Sequence, residues 1–143
     1  MNVEVVWRNV REAKKLGMHV EVVNLVIPGV NDREEQLREP VKCHLHEAGE
    51  ETPLYFTAYY PAYKFDAPPT PVTTLERAHD IAMSEGLEFV YIGNVPGHRF
   101  ENTYCQGCGE LLIERSGLEL MKVNLREGKC PKCGREIPIV ERL

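Results

Sequence analysis

The sequence predicts a mixed α/β protein with a small metal-binding subdomain at its C-terminal end. Two observations carry this prediction. Three segments with a helical spacing of apolar residues alternate with three short runs rich in β-branched and aromatic residues. That alternation is typical of a parallel sheet of about three strands joined by right-handed crossovers. Beyond it, the chain carries four cysteines in two Cys-x-x-Cys pairs.

The predicted helices and strands follow one another along the first two thirds of the chain. Gly17, Gly49 and Gly86 lie where three apolar helical stripes stop, as glycines do at helix ends. Each helix leads into an apolar run, and the first of these runs is expected to be a largely buried strand. In chain order the predicted elements are a helix over 3–16, a strand over 19–27, a helix over 32–48, a strand over 54–60, a helix over 73–85 and a strand over 89–92.

Local signals at the helix starts predict side-chain caps. Asp32 with Glu35, and Thr73 with Glu76, have the spacing of a capping box. Pro40 lies inside the second predicted helix and is expected to kink or locally break it, at a cost of up to about 3 kcal/mol.

The loops that leave the predicted strands differ from those that enter them. The entering connections are short, whereas residues 28–32, 61–71 and 93–99 form longer segments rich in Pro, Gly, Asn and Tyr. In parallel α/β sheets the carboxyl ends of the strands carry the binding site. We therefore expect a site-like face at that end of the sheet.

The strongest motif is the pair of knuckles at Cys105, Cys108, Cys130 and Cys133. Four thiolates at this spacing match a closed tetrahedral zinc site, and a glycine follows the second cysteine of each pair. Two disulfides are the weaker alternative, because Cys43 would stay unpaired and no secretory leader is expected. Iron remains open, because all-sulfur spacing resembles the rubredoxin knuckles and does not separate Fe from Zn²⁺.

Composition narrows the class of protein. The chain has 143 residues, a formal net charge of −5 and no apolar run of membrane-spanning length. We expect a cytoplasmic protein that does not enter a membrane, and nucleic acid is an unlikely partner for an acidic chain. No nucleophile–base pair and no phosphate-binding glycine loop occurs. The aromatic cluster around Tyr59 is interpreted as packing, His98 as a solvated loop residue and Cys43 as a small buried side chain.

Three stretches together resemble the radical SAM enzymes of the AmmeMemoRadiSam group, relatives of pyruvate formate-lyase activating enzymes. They are residues 21–32 (EVVNLVIPGVND), residues 59–64 (YYPAYK) with 68–72 (PPTPV), and residues 90–98 (VYIGNVPGH) leading into 101–105 (ENTYC). The resemblance extends over essentially the whole of this chain, but it corresponds only to the C-terminal part of the family's enzymes. It implies a partial parallel (β/α) barrel over residues 1–100 and a zinc-ribbon-like domain over 101–143.

The resemblance also implies a function and a cofactor region. Such enzymes cleave S-adenosylmethionine with a [4Fe–4S] cluster on a Cys-x-x-x-Cys-x-x-Cys loop, which the five cysteines of this chain do not form. The chain is then a fragment or subunit that is not catalytic alone, paired with a separate N-terminal half or with further copies of itself. The alternatives are a zinc-ribbon module that contacts protein or nucleic acid, and a rubredoxin-like electron carrier. Residues near the adenosylmethionine pocket would be Asn24, Pro28, Gly29, Asn31 and Asp32.

Overall fold

A computed structural model describes residues 2–139 of the chain. The chain divides into two compact units, Met1–Asn94 and Val95–Leu143, which we call the α/β unit and the ribbon unit. The division falls a few residues before the boundary predicted after residue 100. Within the described residues, every helix is too short or too polar to span a lipid bilayer.

The α/β unit contains a three-stranded parallel sheet in the order β1-β2-β3. This arrangement confirms the predicted alternation of helices with parallel strands. Each of the two later helices connects neighbouring strands, as a βαβ crossover does. The elements are α1 (Val3–Lys15), β1 (Val22–Val26), α2 (Glu34–Glu47), β2 (Leu54–Ala58), α3 (Val72–Glu85) and β3 (Val90–Gly93).

The core of the α/β unit lies between one face of this sheet and the helices α2 and α3. Side chains alternate along a strand, and every second residue of β2 is buried. Burial of such side chains stabilises the unit by about 1.5–3 kcal/mol each. The core side chains are Val26, Leu54, Phe56, Ala58, Val90 and Ile92 from the strands, with Leu37, Val41, Leu75, Ala78, Ile81 and Ala82 from the helices.

Strand β1 is shorter and far less buried than the sequence predicts. It covers Val22–Val26, and only Val26 in it is fully buried. Val23 and Leu25 are 63% and 43% exposed. The prediction of a largely buried strand was wrong because β1 is an edge strand and because Val23 and Leu25, on its second face, stay exposed.

The predicted start of α2 was also wrong. Arg33, not Asp32, precedes the helix, and its backbone N–H donates to Gln36 Oε1 at 3.2 Å. The Asp32 carboxylate is used one turn earlier, where Oδ1 accepts a hydrogen bond from the N–H of Gly29 at 3.0 Å. Asp32 therefore closes the loop after β1 rather than capping α2.

The predicted cap at Thr73 was wrong, and the predicted local break at Pro40 does not occur. Pro71 is the residue that precedes α3, so Thr73 lies inside that helix and does not cap it. Pro40 lies inside α2, which continues through it without a break. Leu37 and Val41 flank Pro40 and are fully buried, and tertiary packing of this kind outweighs a local helix penalty.

The ribbon unit is a small antiparallel sheet in the order β4-β5-β6. A short 3₁₀ turn over Arg99–Glu101 leads into β4 (Thr103–Tyr104), and β5 (Leu111–Ser116) and β6 (Glu119–Val123) form a hairpin between the two knuckles. The chain between the two knuckles is therefore a β-hairpin. Among the described residues of this unit, the buried aliphatic side chains are Leu112, Ile113 and Ile137, and so small a core usually needs a further cross-link.

Candidate metal centre

The two knuckles have the same local hydrogen bonds. In the first, Cys105 N–H donates to Glu110 O at 2.8 Å, and Gly109 N–H donates to Cys105 O at 2.8 Å. In the second, Cys130 N–H donates to Arg135 O at 2.9 Å, and the N–H of the following glycine returns to Cys130 O at 2.9 Å. Both glycines have a positive φ, 71° and 76°, which a residue with a Cβ adopts only with strain.

These turns bring the four thiols together. The Sγ atoms of Cys105, Cys108, Cys130 and Cys133 all lie within 4.8 Å of one another. Cys105 Sγ and Cys133 Sγ are 3.5 Å apart, and Cys108 Sγ and Cys130 Sγ are 3.6 Å apart. A tetrahedral ion with bonds of about 2.3 Å places its sulfurs about 3.8 Å apart. The four cysteines are therefore positioned to bind one metal ion.

The pKa values of two of these thiols, Cys130 and Cys108, are shifted in opposite directions. Burial raises the pKa of Cys130, but the backbone N–H groups of Cys133 and Lys132 and the neighbouring thiols outweigh it and lower that pKa to about 7. The N–H of Glu110 lowers the pKa of Cys108, but burial and the other three thiols together raise it to about 12. Four thiolates this close repel one another, and a bound dication would offset that electrostatic repulsion.

The surroundings of the thiols indicate a structural site. Cys105 and Cys130 are buried, Cys108 is half-buried and Cys133 is exposed. A Cβ at Gly107 would lie 3.6 Å from Cys133 Sγ and 3.7 Å from Cys105 Sγ, so the backbone itself closes one side of the cluster. A tetrahedral ion bound here would take all four of its ligands from the protein, which would leave no position for a substrate.

A buried carboxylate that the sequence did not flag anchors the ribbon unit. Glu101 is only 7% exposed. Its carboxylate accepts a hydrogen bond from Gly97 N–H at 2.7 Å and from Gly117 N–H at 3.2 Å. It ties the entry loop to the tip of the β5–β6 hairpin. Glu101 follows an aromatic residue in a loop, where an acidic side chain is expected to be solvated. The sequence therefore did not predict its burial.

The residues implied to lie near an adenosylmethionine pocket form the loop after β1. The Asn31 side chain is fully engaged there: Nδ2 donates to Leu25 O at 3.0 Å, and Oδ1 accepts from Ile27 N–H at 2.7 Å. Asn24 is half-buried, and its Oδ1 lies 3.4 Å from Asn31 Nδ2. Gly29 has φ +76° and, with Pro28, forms the turn that the Asp32 carboxylate closes. The loop is thus built by its own polar groups.

Two further side chains form hydrogen bonds with backbone groups at the carboxyl ends of the strands. The Thr70 hydroxyl donates to Val26 O at 2.6 Å and accepts from Tyr59 N–H at 2.9 Å, so it joins the ends of β1 and β2. Asn94 Nδ2 donates to Ala58 O at 2.9 Å. Sequence reasoning missed both residues, because their partners lie 44 and 36 positions away in the chain.

The other residues singled out in the sequence are Tyr59, His98 and Cys43, and their surroundings are those of packing and hydrogen-bonding side chains. Tyr59 packs edge-on against Phe65 and donates its hydroxyl to Phe65 O at 2.7 Å, as expected for a packing role. His98 Nδ1 accepts from Phe100 N–H at 3.1 Å and so caps the 3₁₀ turn instead of being only solvated. Cys43 is half-buried rather than buried.

Together, the fold and the cysteine cluster define an α/β protein with a candidate four-cysteine metal centre in a separate ribbon. The chain is 47% identical over 140 residues to an uncharacterized protein of the archaeon Methanocaldococcus jannaschii. That match covers 96% of this chain and 42% of the relative, so the chain spans less than half of the relative's length. No family model matches the chain. No solved structure matches it either.

Proposed function

We propose that Cys105, Cys108, Cys130 and Cys133 hold a structural zinc ion in the C-terminal part of a radical-SAM-type protein. The observation on which the metal assignment depends is that two knuckles with the same hydrogen-bond pattern converge, with all four Sγ atoms within 4.8 Å of one another. A ribbon with so few buried apolar side chains requires a cross-link, and metal ligation provides folding free energy directly.

We prefer zinc to iron as the bound ion, although the cysteine cluster itself suits both. Both ions accept four thiolates in a tetrahedron, and the backbone N–H groups that lower the pKa of Cys130 would stabilise thiolates for either. We choose zinc because no other feature of the described residues indicates electron transfer. Colour separates the two, because an iron–tetrathiolate protein is red and a zinc protein is colourless.

Metal analysis of the purified chain is the first test. We expect about one zinc per chain, and loss of that zinc together with ribbon structure in Cys105→Ser. Cys43→Ser is the matched control, because Cys43 lies outside the cluster on α2, and it should keep both zinc and fold. A wild-type chain that contains no metal and whose four ribbon thiols all react freely would overturn the assignment.

The radical-SAM part of the proposal is supported by the α/β unit. Its parallel strands follow the order β1-β2-β3 with a helix between each pair, as successive units of a (β/α) barrel do. The loops at the carboxyl ends of these strands include Pro28, Gly29, Asn31 and Asp32. Asn24, just before them, lies on β1. In an assembled barrel this region would face adenosylmethionine, and the chain alone, without a Cys-x-x-x-Cys-x-x-Cys loop, would not cleave it.

The part of the Methanocaldococcus jannaschii relative outside the match tests this assignment. We expect that part to contain a Cys-x-x-x-Cys-x-x-Cys loop. After reconstitution with iron and sulfide, its mixture with this chain should yield 5′-deoxyadenosine from adenosylmethionine under a reductant, whereas this chain alone should yield none. Absence of the cysteine triplet from that part, or 5′-deoxyadenosine formation by this chain alone, would refute it.

A further inference from the structure

The outer edge of β1 carries backbone groups with no partner strand. Val22 N–H donates to Pro53 O at 3.0 Å, so Val22 points its N–H inward, to the side of β2. Backbone groups alternate in direction along a strand, and those of Val23 and Leu25 therefore point outward. Such an edge is a template for pairing with another strand.

This edge is blocked at only one end. The Asn31 side-chain amide occupies the position of a neighbouring peptide group, because it accepts from Ile27 N–H and donates to Leu25 O. The part of the edge that precedes Leu25 O has no such substitute within the described residues. Pairing is therefore open at Val23 and closed beyond Leu25.

The face of the sheet opposite the helices is apolar and partly uncovered. Val23 and Leu25 are 63% and 43% exposed on it, next to Tyr55 and Thr57 of β2. Tyr55 stacks on Tyr91 of β3 at a centroid distance of 4.9 Å. Tyr91 is only 6% exposed, so this face is covered at β3 and left uncovered at Val23 and Leu25 of β1. A parallel sheet normally has both faces covered, so the β1 side of this face is where a further covering element would pack.

Helix α1 indicates which element is missing. In this unit α2 links β1 to β2, and α3 links β2 to β3, each with its helix on the same side of the sheet. Helix α1 leads into β1 and packs against α2, so it has the position of a right-handed crossover from a parallel strand that would lie at the outer edge of β1. Consistent with a missing neighbour, no residue of α1 is fully buried, although Trp7 contacts His44 of α2 edge-on.

We propose that the outer edge of β1 and the exposed face at Val23 and Leu25 bind a parallel β-strand, with its covering elements, from a segment that corresponds to the unmatched part of the relative. More than half of that relative lies outside the match, which is ample chain for the purpose. The proposal names the partner of the α/β unit and rests on this topology rather than on radical chemistry. A second copy fits less well, because a two-fold axis would pair β1 with itself antiparallel and would provide no strand leading into α1.

The test uses the unmatched part of the relative as a separate polypeptide, mixed with this chain. We expect a stoichiometric complex by size-exclusion chromatography with light scattering, and slower amide hydrogen exchange at Val23 and Leu25. The relative's own matched segment serves as a positive control. Val23→Lys should weaken binding at least tenfold, because it places a charge on the covered face. Leu120→Lys, at a residue equally exposed (62%) but in the ribbon unit, should not.

The outcomes separate this proposal from the function proposed above. A complex that Val23→Lys abolishes supports the interface even if the added polypeptide has no cluster motif. No complex, or one that Val23→Lys and Leu120→Lys affect equally, overturns it even if a cluster motif is present. A homodimer of this chain that buries Val23 and excludes the added polypeptide would also overturn it.

Discussion

Thr70 provides the sharpest test of how the strand ends are held. Its hydroxyl joins Val26 O to Tyr59 N–H, and Thr70 itself is 6% exposed. Thr70→Val keeps the shape of the side chain but removes both hydrogen bonds. We expect this substitution to destabilise the α/β unit while leaving the ribbon unit folded.

The magnitude follows from the two groups left without a partner. Val26 is fully buried and Tyr59 is 8% exposed, so water reaches neither group easily. A buried donor or acceptor left unsatisfied costs about 1–3 kcal/mol. Two of them predict a loss of about 2–6 kcal/mol, which is a large share of the 5–15 kcal/mol typical of a folded domain.

Urea unfolding followed by far-ultraviolet circular dichroism measures this loss. The transition of the α/β unit should shift to lower urea with an unchanged m-value, since the exposed area on unfolding stays the same. Thr73→Val, at an exposed site on α3, is the control and should change the free energy of unfolding by less than about 0.5 kcal/mol. A loss below about 1 kcal/mol for Thr70→Val would show that the bridge is not needed.

Two further predictions concern close packing and pH. In Gly93→Ala the new Cβ would lie 2.6 Å from Thr57 Cγ2, so we expect a loss of about 1–3 kcal/mol in the free energy of unfolding. Adding Thr57→Ser should largely restore that free energy, because it removes Cγ2. Equal losses with and without Thr57→Ser would contradict the clash. Burial lowers the pKa of His44, so the unfolded chain takes up a proton below about pH 6.5 that the folded chain resists. Stability should therefore fall as the pH drops through that value, by up to about 1.4 kcal/mol per pH unit. His44→Gln should remove this slope in unfolding titrations and His19→Gln, at an exposed site, should keep it; an unchanged slope in His44→Gln would assign the titration elsewhere.

The features that could be predicted from the sequence are those fixed by nearby residues. Each knuckle is a ring of hydrogen bonds within six residues, such as Cys105 N–H to Glu110 O, so the Cys-x-x-Cys spacing and the glycine after it contain the whole turn. The order of helices and strands follows from apolar spacing of 3.6 or 2 residues, which is equally local. Even so, local cap signals failed at Asp32 and Thr73, because a loop contact and a preceding proline took precedence.

The features that could not be predicted depend on distant parts of the chain. A β-branched run indicates a strand, but whether Val23 and Leu25 are covered depends on elements that the run does not encode. Thr70 bridges groups that come together only after two strands have paired. Glu101 looks like a surface acid until Gly117 approaches it. Polar residues buried by tertiary contacts thus have no local pattern that distinguishes them from solvated ones.

The β5–β6 hairpin sets the effective concentration of one knuckle at the other. Doubling the length of a flexible tether between the knuckles would weaken their association by only about 0.6 kcal/mol. In the hairpin, β5 is paired from Ile113 to Ser116, so a change beyond the last pair should weaken the association of the knuckles even less. Leu118 at that tip is fully exposed, at 105%. A fluorophore on the exposed side chain at position 118 should therefore leave metal affinity unchanged, so this tip is a convenient point of attachment for following the centre in solution.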